Sequence, residues 1–318
     1  MPLLTLNRPA KRNAIDEVML ASLAEKLETL KGADHVRIVF LRGAGQVFCA
    51  GADIEMMRRQ GGHSMHDNEE DALALSHALK ALHDLPQFTV ALVQKGAIGV
   101  GGGLVAACDY AVATEDAQFR FPEARLGILP AMVAPYVIEA IGTRAARALF
   151  ASALPVDAAR AKALGLIQEI VADELGLESA LKHLAGLAFE NAPSAVAAAK
   201  QLVRDVAGRQ IDDRLVKETA KRSAVQRASE EGQEGTTAFL EKRRPAWDRG
   251  AGVKSFSVGR RSHRQALRRR RQRRGPRRMA EGAGQAREGG GNKPKPVCGT
   301  RAWPSVATTC LPADRFIG

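Results

Sequence analysis

Apolar and polar positions alternate along this chain in two distinct rhythms. "LLTLNRP" near the N-terminus reads as a short strand that stops at Pro9, where a ladder donor is lost. From Ile15 the apolar residues Met19, Leu23, Leu27 and Leu30 recur at helical spacing, behind Asp16 and Glu17 at the end of a helix that favours acids. "RIVFLRGAG" (37–45) is a β-rich run ending in turn glycines. "RRQGGHSMHDNEED" (58–71) is polar, glycine-containing and aperiodic, and predicts a mobile surface loop. "DALALSHALKALHDL" (71–85) returns to helical spacing, "FTVALVQKGAIG" (88–99) predicts one buried strand, and "DYAVATEDAQF" (109–119) another strand and a turn. After residue 175 the pattern is almost wholly helical, with Pro193 suited to a first helical turn. Alternating strands and helices followed by helices alone predict an α/β core with a C-terminal helical layer.

Composition divides the chain. Its formal charge is +12, but residues 248–318 hold 18 Lys/Arg against 4 Asp/Glu, whereas residues 1–247 hold 29 against 31. The segments therefore carry +14 and −2, and the basic excess says nothing about the body. Eleven of the nineteen residues from Arg260 to Arg278 are arginine, and no helical or strand period follows them, which predicts a disordered tail. Such an arm could hold RNA or anionic lipid through phosphate contacts without base specificity. With little aromatic interleaving, it reads instead as a frame-shifted or read-through extension.

Cys49, Cys108, Cys298 and Cys310 are widely separated, without the pairing expected of a zinc site or disulfide framework. His63 and His66 have no identifiable third ligand partner, so no metal is expected. No apolar run reaches the roughly 18 residues that span a membrane, and the N-terminus lacks a signal peptide's apolar region. The expectation is a cytoplasmic enzyme or binding domain.

The densest motif is "GVGGGLVAACD" (99–109). It lacks the G-K-[ST] of a Walker loop, and Leu104 stands where a dinucleotide fingerprint needs its last glycine. A tight glycine-rich turn between strand and helix remains as the plain reading. A second glycine-flanked turn, "GAGQVFCAGADIEMM" (43–57), also follows a β-rich run. Two such turns can aim two backbone N–H groups at one point, the geometry that stabilises an acyl thioester oxygen as it gains charge.

"LNRPAKRNAI", "LRGAGQVFCAGADI", "GAIGVGGGLVAACDYAVATEDAQFRFPEARLGILP" and "AFLEKRRPAW", in this order, resemble the enoyl-CoA hydratase/isomerase (crotonase) superfamily, from near residue 3 to Trp247. The resemblance implies a crotonase-like spiral of repeated ββα units over 1–187, a helical oligomerisation region over 188–247, and a homotrimer or dimer of trimers. It also implies that the N–H groups of Ala52 and Val100 form an oxyanion hole. Family members usually carry glycine at the second position, and Gly101 is the substitute if the loop shifts by one. Hydratases of the family commonly use two glutamates; Gly103 stands at the first position and only Glu123 matches the second.

A carboxylate in an apolar pocket can exchange protons near neutral pH, which is the role implied for Glu123. CoA, as the acyl carrier of the substrate, is expected at Arg12, Ala14, Ala50, Asp53 and Ile54, with Lys242 reaching its phosphates from a neighbouring subunit. No separate cofactor is expected. "GLVAACD" with "EARLGILPAMVAPYVIEAIG" most resembles bacterial hydratases of methylglutaconyl-CoA or isohexenylglutaconyl-CoA, from leucine and acyclic-terpene breakdown. A distal carboxylate on such a substrate would want a cation, for which Arg120 or Arg125 are candidates. The expected reaction is hydration of an α,β-unsaturated acyl-CoA; isomerisation on the same scaffold and an RNA-binding relative are the alternatives.

Overall fold

The computed structural model describes residues 1–248, which fall within one compact unit, Met1–Phe256. The arginine-rich tail and its expected disorder lie outside the described residues, as do Cys298 and Cys310. In chain order the elements are β1 (Leu3–Leu6), α1 (Glu17–Lys31), β2 (Ile38–Gly43), α2 (Ile54–Gln60), α3 (Met65–His83), β3 (Phe88–Val93), β4 (Gly96–Ile98), α4 (Val100–Ala106), β5 (Tyr110–Thr114) and β6 (Gln118–Arg120). There follow α5 (Ala134–Ser152), β7 (Val156–Asp157), α6 (Ala158–Leu164), β8 (Glu169–Val171), α7 (Glu174–Glu190), α8 (Pro193–Val206), α9 (Asp213–Ala228) and α10 (Glu230–Leu240).

A five-stranded sheet in the order β1-β2-β3-β5-β8 is parallel throughout, and a three-stranded sheet, β4-β6-β7, stands beside it. Strand period two sorts the side chains of the larger sheet between two cores. Val39, Leu41, Ala91 and Val93 pack on one face with Leu23 and Leu27 of α1 and Leu75, Leu79 and Leu82 of α3. Ile38, Phe40, Val90 and Leu92 pack on the other, against Leu177, Leu181 and Leu184 of α7. The helical spacing read from Leu23, Leu27 and Leu30 corresponds to the buried stripe of α1, whose N-cap is Asp16. Together these elements make the α/β fold of repeated ββα-like units with a C-terminal helical layer.

Two expectations are corrected. The polar stretch 58–71 is not one loop, because α2 runs to Gln60 and α3 begins at Met65. Ser64 accepts the Asp67 N–H as a cap, and the acids that made the stretch look loop-like are the exposed first turns of a helix, where negative charge is favoured. His63 pairs with Asp71, 3.3 Å away, and His66 lies on α3. The run 88–99 is not one strand. Lys95 takes a left-handed φ of 58°, so the chain leaves the parallel sheet after β3 and enters the smaller sheet as β4. That turn carries the glycine cluster away from the main sheet.

The last three helices, α8 to α10, bury little in the single chain; Leu215 and Ala238 are their buried side chains. Lys200 of α8 ties this layer to the sheet, its Nζ donating to Asp109 Oδ2 at 2.6 Å and to the Gln87 carbonyl at 2.7 Å. Asp109 also accepts from the N–H and hydroxyl of Thr89.

Candidate active site

The two glycine-flanked turns meet at one pocket. Its space, mouth included, is about 520 Å³, and Ala52, Val100 and Glu123 all line it. Ala50 and Ile54 line it as well. Arg12, Ala14 and Asp53 do not line it, and Lys242 lies past the end of α10, exposed in a turn with a φ of 55°.

The backbone around Ala52 follows from a single parallel bridge to Ile15. Ile15 N–H donates to the Gly51 carbonyl at 2.8 Å, and the Ile15 carbonyl accepts from Asp53 N–H at 2.8 Å. Both bonds go to the residues flanking Ala52, so the N–H of Ala52 itself points away from Ile15. Gly51 can make this bend because its φ is +102° and Ile98 O lies 3.1 Å from where a Cβ would be.

Val100 is the first residue of α4, and Gly99 precedes it at a φ of +51°. The first intrahelical bond runs from Gly103 N–H to the Gly99 carbonyl, leaving the N–H groups of Val100, Gly101 and Gly102 without helical acceptors. Val100 lines the pocket, whereas a Cβ on Gly101 would strike Cys49 O at 2.7 Å. The other glycines approach protein, not ligand. A Cβ on Gly102 would meet the Phe121 ring at 2.8 Å, and one on Gly103 would meet Val133 Cβ at 2.7 Å. Val133 thus fills the space that a side chain at 103 would occupy, and it lines the pocket from that side.

Glu123 opens the one-turn 3₁₀ segment Glu123–Leu126 after Pro122. Its Oε1 lies 2.8 Å from the Cβ position of Gly99, so only glycine lets the carboxyl group rest there. Its Oε2 is buried and has no hydrogen-bond partner among the described residues. Burial pushes its pKa above the ordinary 4.5. Among the described residues lining the pocket it alone is ionisable. The rest of the wall includes Met57, Ile98, Leu126, Ile128, Leu129 and Met132, which periodicity did not single out because most lie in short turns. Arg120, considered for a distal carboxylate, gives its Nε to the Ala153 carbonyl at 2.8 Å; neither it nor Arg125 lines the pocket.

Neither Cys49 nor Cys108 lines the pocket. Cys49 Sγ–H donates to the Asn13 carbonyl at 3.2 Å, and burial pushes its pKa up to about 12. Cys108 is likewise a free thiol, raised further by burial. Among the described residues no three His, Cys, Asp or Glu side chains cluster as metal ligands, and no helix is long and apolar enough to cross a membrane.

An apolar pocket holding one half-buried acid, set beside helix-terminal amides on an α/β scaffold, is an enzyme's site. The family described as enoyl-CoA hydratase/isomerase matches residues 2–250, and the chain belongs to it. Over 245 residues the chain is 33% identical to the 2,3-dehydroadipyl-CoA hydratase of Escherichia coli, spanning 76% of this chain and 93% of that protein. Among solved structures, an enoyl-CoA hydratase from Shewanella pealeana superposes with a TM-score of 0.74 at 38% identity, over 77% of this chain and 91% of that one. AtuE of Pseudomonas aeruginosa superposes with a TM-score of 0.74 at 37% identity, over 77% and 95%. The chemistry of this chain is therefore that of the family, hydration or isomerisation of acyl-CoA thioesters.

Proposed function

We propose that this protein hydrates an α,β-unsaturated acyl-CoA, with Glu123 as its acid and base and the N–H groups of Ala52 and Val100 as its oxyanion hole. The observation that carries the reading is the buried Oε2 of Glu123, without a partner among the described residues, in an otherwise apolar wall that Ala52 and Val100 also line.

The thioester oxygen accepts hydrogen bonds from the two amides. The Glu123 carboxylate takes a proton from water as the water oxygen bonds to the β-carbon, and the electron pair of the double bond moves toward the thioester oxygen. The developing enolate is stabilised where its charge forms. Glu123 then returns its proton to the α-carbon, which regenerates the carboxylate and completes addition of one water. A single carboxylate can serve both transfers because it leaves each cycle in its starting state.

CoA would lie along Ala50 and Ile54, with main-chain groups of Arg12, Ala14 and Asp53 behind it and Lys242 of a neighbouring copy at its phosphates. The helices of 188–247 form the assembly layer in this reading, as a trimer or dimer of trimers, and the reaction is a cytoplasmic one. Methylglutaconyl-CoA and isohexenylglutaconyl-CoA are substrates suggested by sequence resemblance. The wall itself supports an uncharged acyl tail, since it offers a distal carboxylate no cation.

The test is to incubate the protein separately with crotonyl-CoA, 3-methylglutaconyl-CoA and 2,3-dehydroadipyl-CoA and to identify products by mass. The expected result is a gain of one water, reduced about 10²- to 10⁴-fold in rate by Glu123→Gln. A shifted double bond at unchanged mass would overturn hydration in favour of isomerisation. Free CoA or loss of carbon dioxide would overturn both.

A further inference from the structure

The loop that presents Ala52 has little regular structure of its own; its course is copied from residues 8–16. Ala50 N–H donates to the Arg12 carbonyl at 2.9 Å, and Ile15 brackets Ala52 from both sides. Asn13 is fully buried at a left-handed φ of 55°, and its Nδ2 donates to the carbonyls of Ala44 at 2.8 Å and Val47 at 2.7 Å. Its Oδ1 accepts the Arg8 N–H at 2.9 Å.

The Arg8 side chain closes this arrangement. Its Nη1 donates to the Ala14 carbonyl at 2.7 Å and to Asp53 Oδ2 at 3.1 Å, and its Nε lies 3.2 Å from Asp16 Oδ2. Ala14 precedes Ile15 and Asp53 follows Ala52, so one guanidinium holds both segments of the bridge that directs the Ala52 amide. Asp53 meanwhile spends Oδ1 on the N–H groups of Glu55 and Met56, which starts α2. Without the cation, the carboxylates of Asp16 and Asp53 would face each other across the bridge, and their repulsion would push the Ala52 loop away from residues 14–16. Val100, carried on α4, would not follow that movement.

We infer that Arg8 is a positioning residue for the reaction, a clamp that fixes the Ala52 N–H at the separation from the Val100 N–H that a thioester oxygen needs. This rests on the oxyanion-hole reading above. Arg8 does not line the pocket. A guanidinium suits the place because it bonds in several directions from one rigid plane, which an ammonium cannot do. A displacement of about 1 Å at a reacting centre can cost on the order of 10²-fold in rate.

The experiment compares the full-length protein with Arg8→Gln and Arg8→Lys. Saturated butanoyl-CoA, labelled with ¹³C at the thioester carbonyl, is bound without turnover, and its carbonyl stretch is read by difference infrared spectroscopy. In the wild type the band moves to lower frequency on binding. In Arg8→Gln the shift falls to less than half, and kcat on crotonyl-CoA drops about 10- to 100-fold. Arg8→Lys gives intermediate values, and it carries the comparison if Arg8→Gln does not fold by circular dichroism. A folded variant with wild-type shift and kcat would overturn the clamp while leaving the oxyanion hole intact. A wild-type band that does not move would overturn the oxyanion hole, and the clamp with it.

Discussion

Glu123 places function and stability in opposition. Its carboxyl group is pushed by burial to titrate above 4.5 in the folded chain, and its Oε2 finds no donor among the described residues. Between the unfolded and the raised folded pKa, the folded state holds a proton that the unfolded state has released. This contribution to stability therefore declines as pH rises through that window, and the penalty is absent below 4.5. Glu123→Gln should accordingly raise Tm at pH 8, with the gain fading as the pH approaches 4.5, a result that thermal denaturation across pH would show. The same group should set the acidic limb of the kcat/KM profile. Because the base must be ionised, the limb should lie above the ordinary carboxylate range and disappear in Glu123→Gln. Sequence pattern alone would make Glu123 an unremarked acid at a turn after Pro122. Its meaning comes from Gly99, 24 residues earlier in the chain, whose missing side chain leaves room for the carboxyl group.

At the scale of elements, two contacts between helices and their neighbours should be separable by substitution. The packing of α4 on the segment that leads into α5 depends on Gly103, where a Cβ would lie 2.7 Å from Val133 Cβ and 3.6 Å from Val133 Cα. Gly103→Ala should cost about 1–3 kcal/mol by overpacking, and Val133→Ala in the same chain should recover most of it in urea denaturation. The joining of α8 to the sheet depends on a charge, since α8 has no buried side chain. Lys200→Met leaves Asp109 with only its Thr89 donors and should lower stability by about 1–2 kcal/mol. Turnover per folded active site should be unchanged, because Lys200 and Asp109 do not line the pocket. Periodicity displayed α8 correctly as an amphipathic helix. It could not display Lys200 as the anchor, because Asp109 lies 91 residues earlier and the pairing exists only after the two elements pack.

Over the whole molecule, the helical layer leaves large apolar side chains uncovered. Phe239 is 83% exposed and Leu240 79%, at the end of a family-typical body. The proposed assembly would bury them against another copy. Phe239→Asp together with Leu240→Asp should therefore lower the mass measured by light scattering toward that of one chain. An unchanged mass would remove these residues from the interface. By itself the sequence determined what depends on near neighbours: the α/β class, the apolar stripe of α1, the helical C-terminal layer and the two glycine-flanked turns. Such features are written in local periodicity and in the chemistry of Gly and Pro. Tertiary structure decided what depends on distant segments meeting. It split 88–99 between two sheets at Lys95, extended α3 back to Met65, turned Val100 and not Gly101 to the pocket, and filled the space beside Gly103 with Val133. Each of those outcomes is a close contact between residues far apart in the chain, and hydrophobic spacing carries no record of which distant atom will occupy a given space.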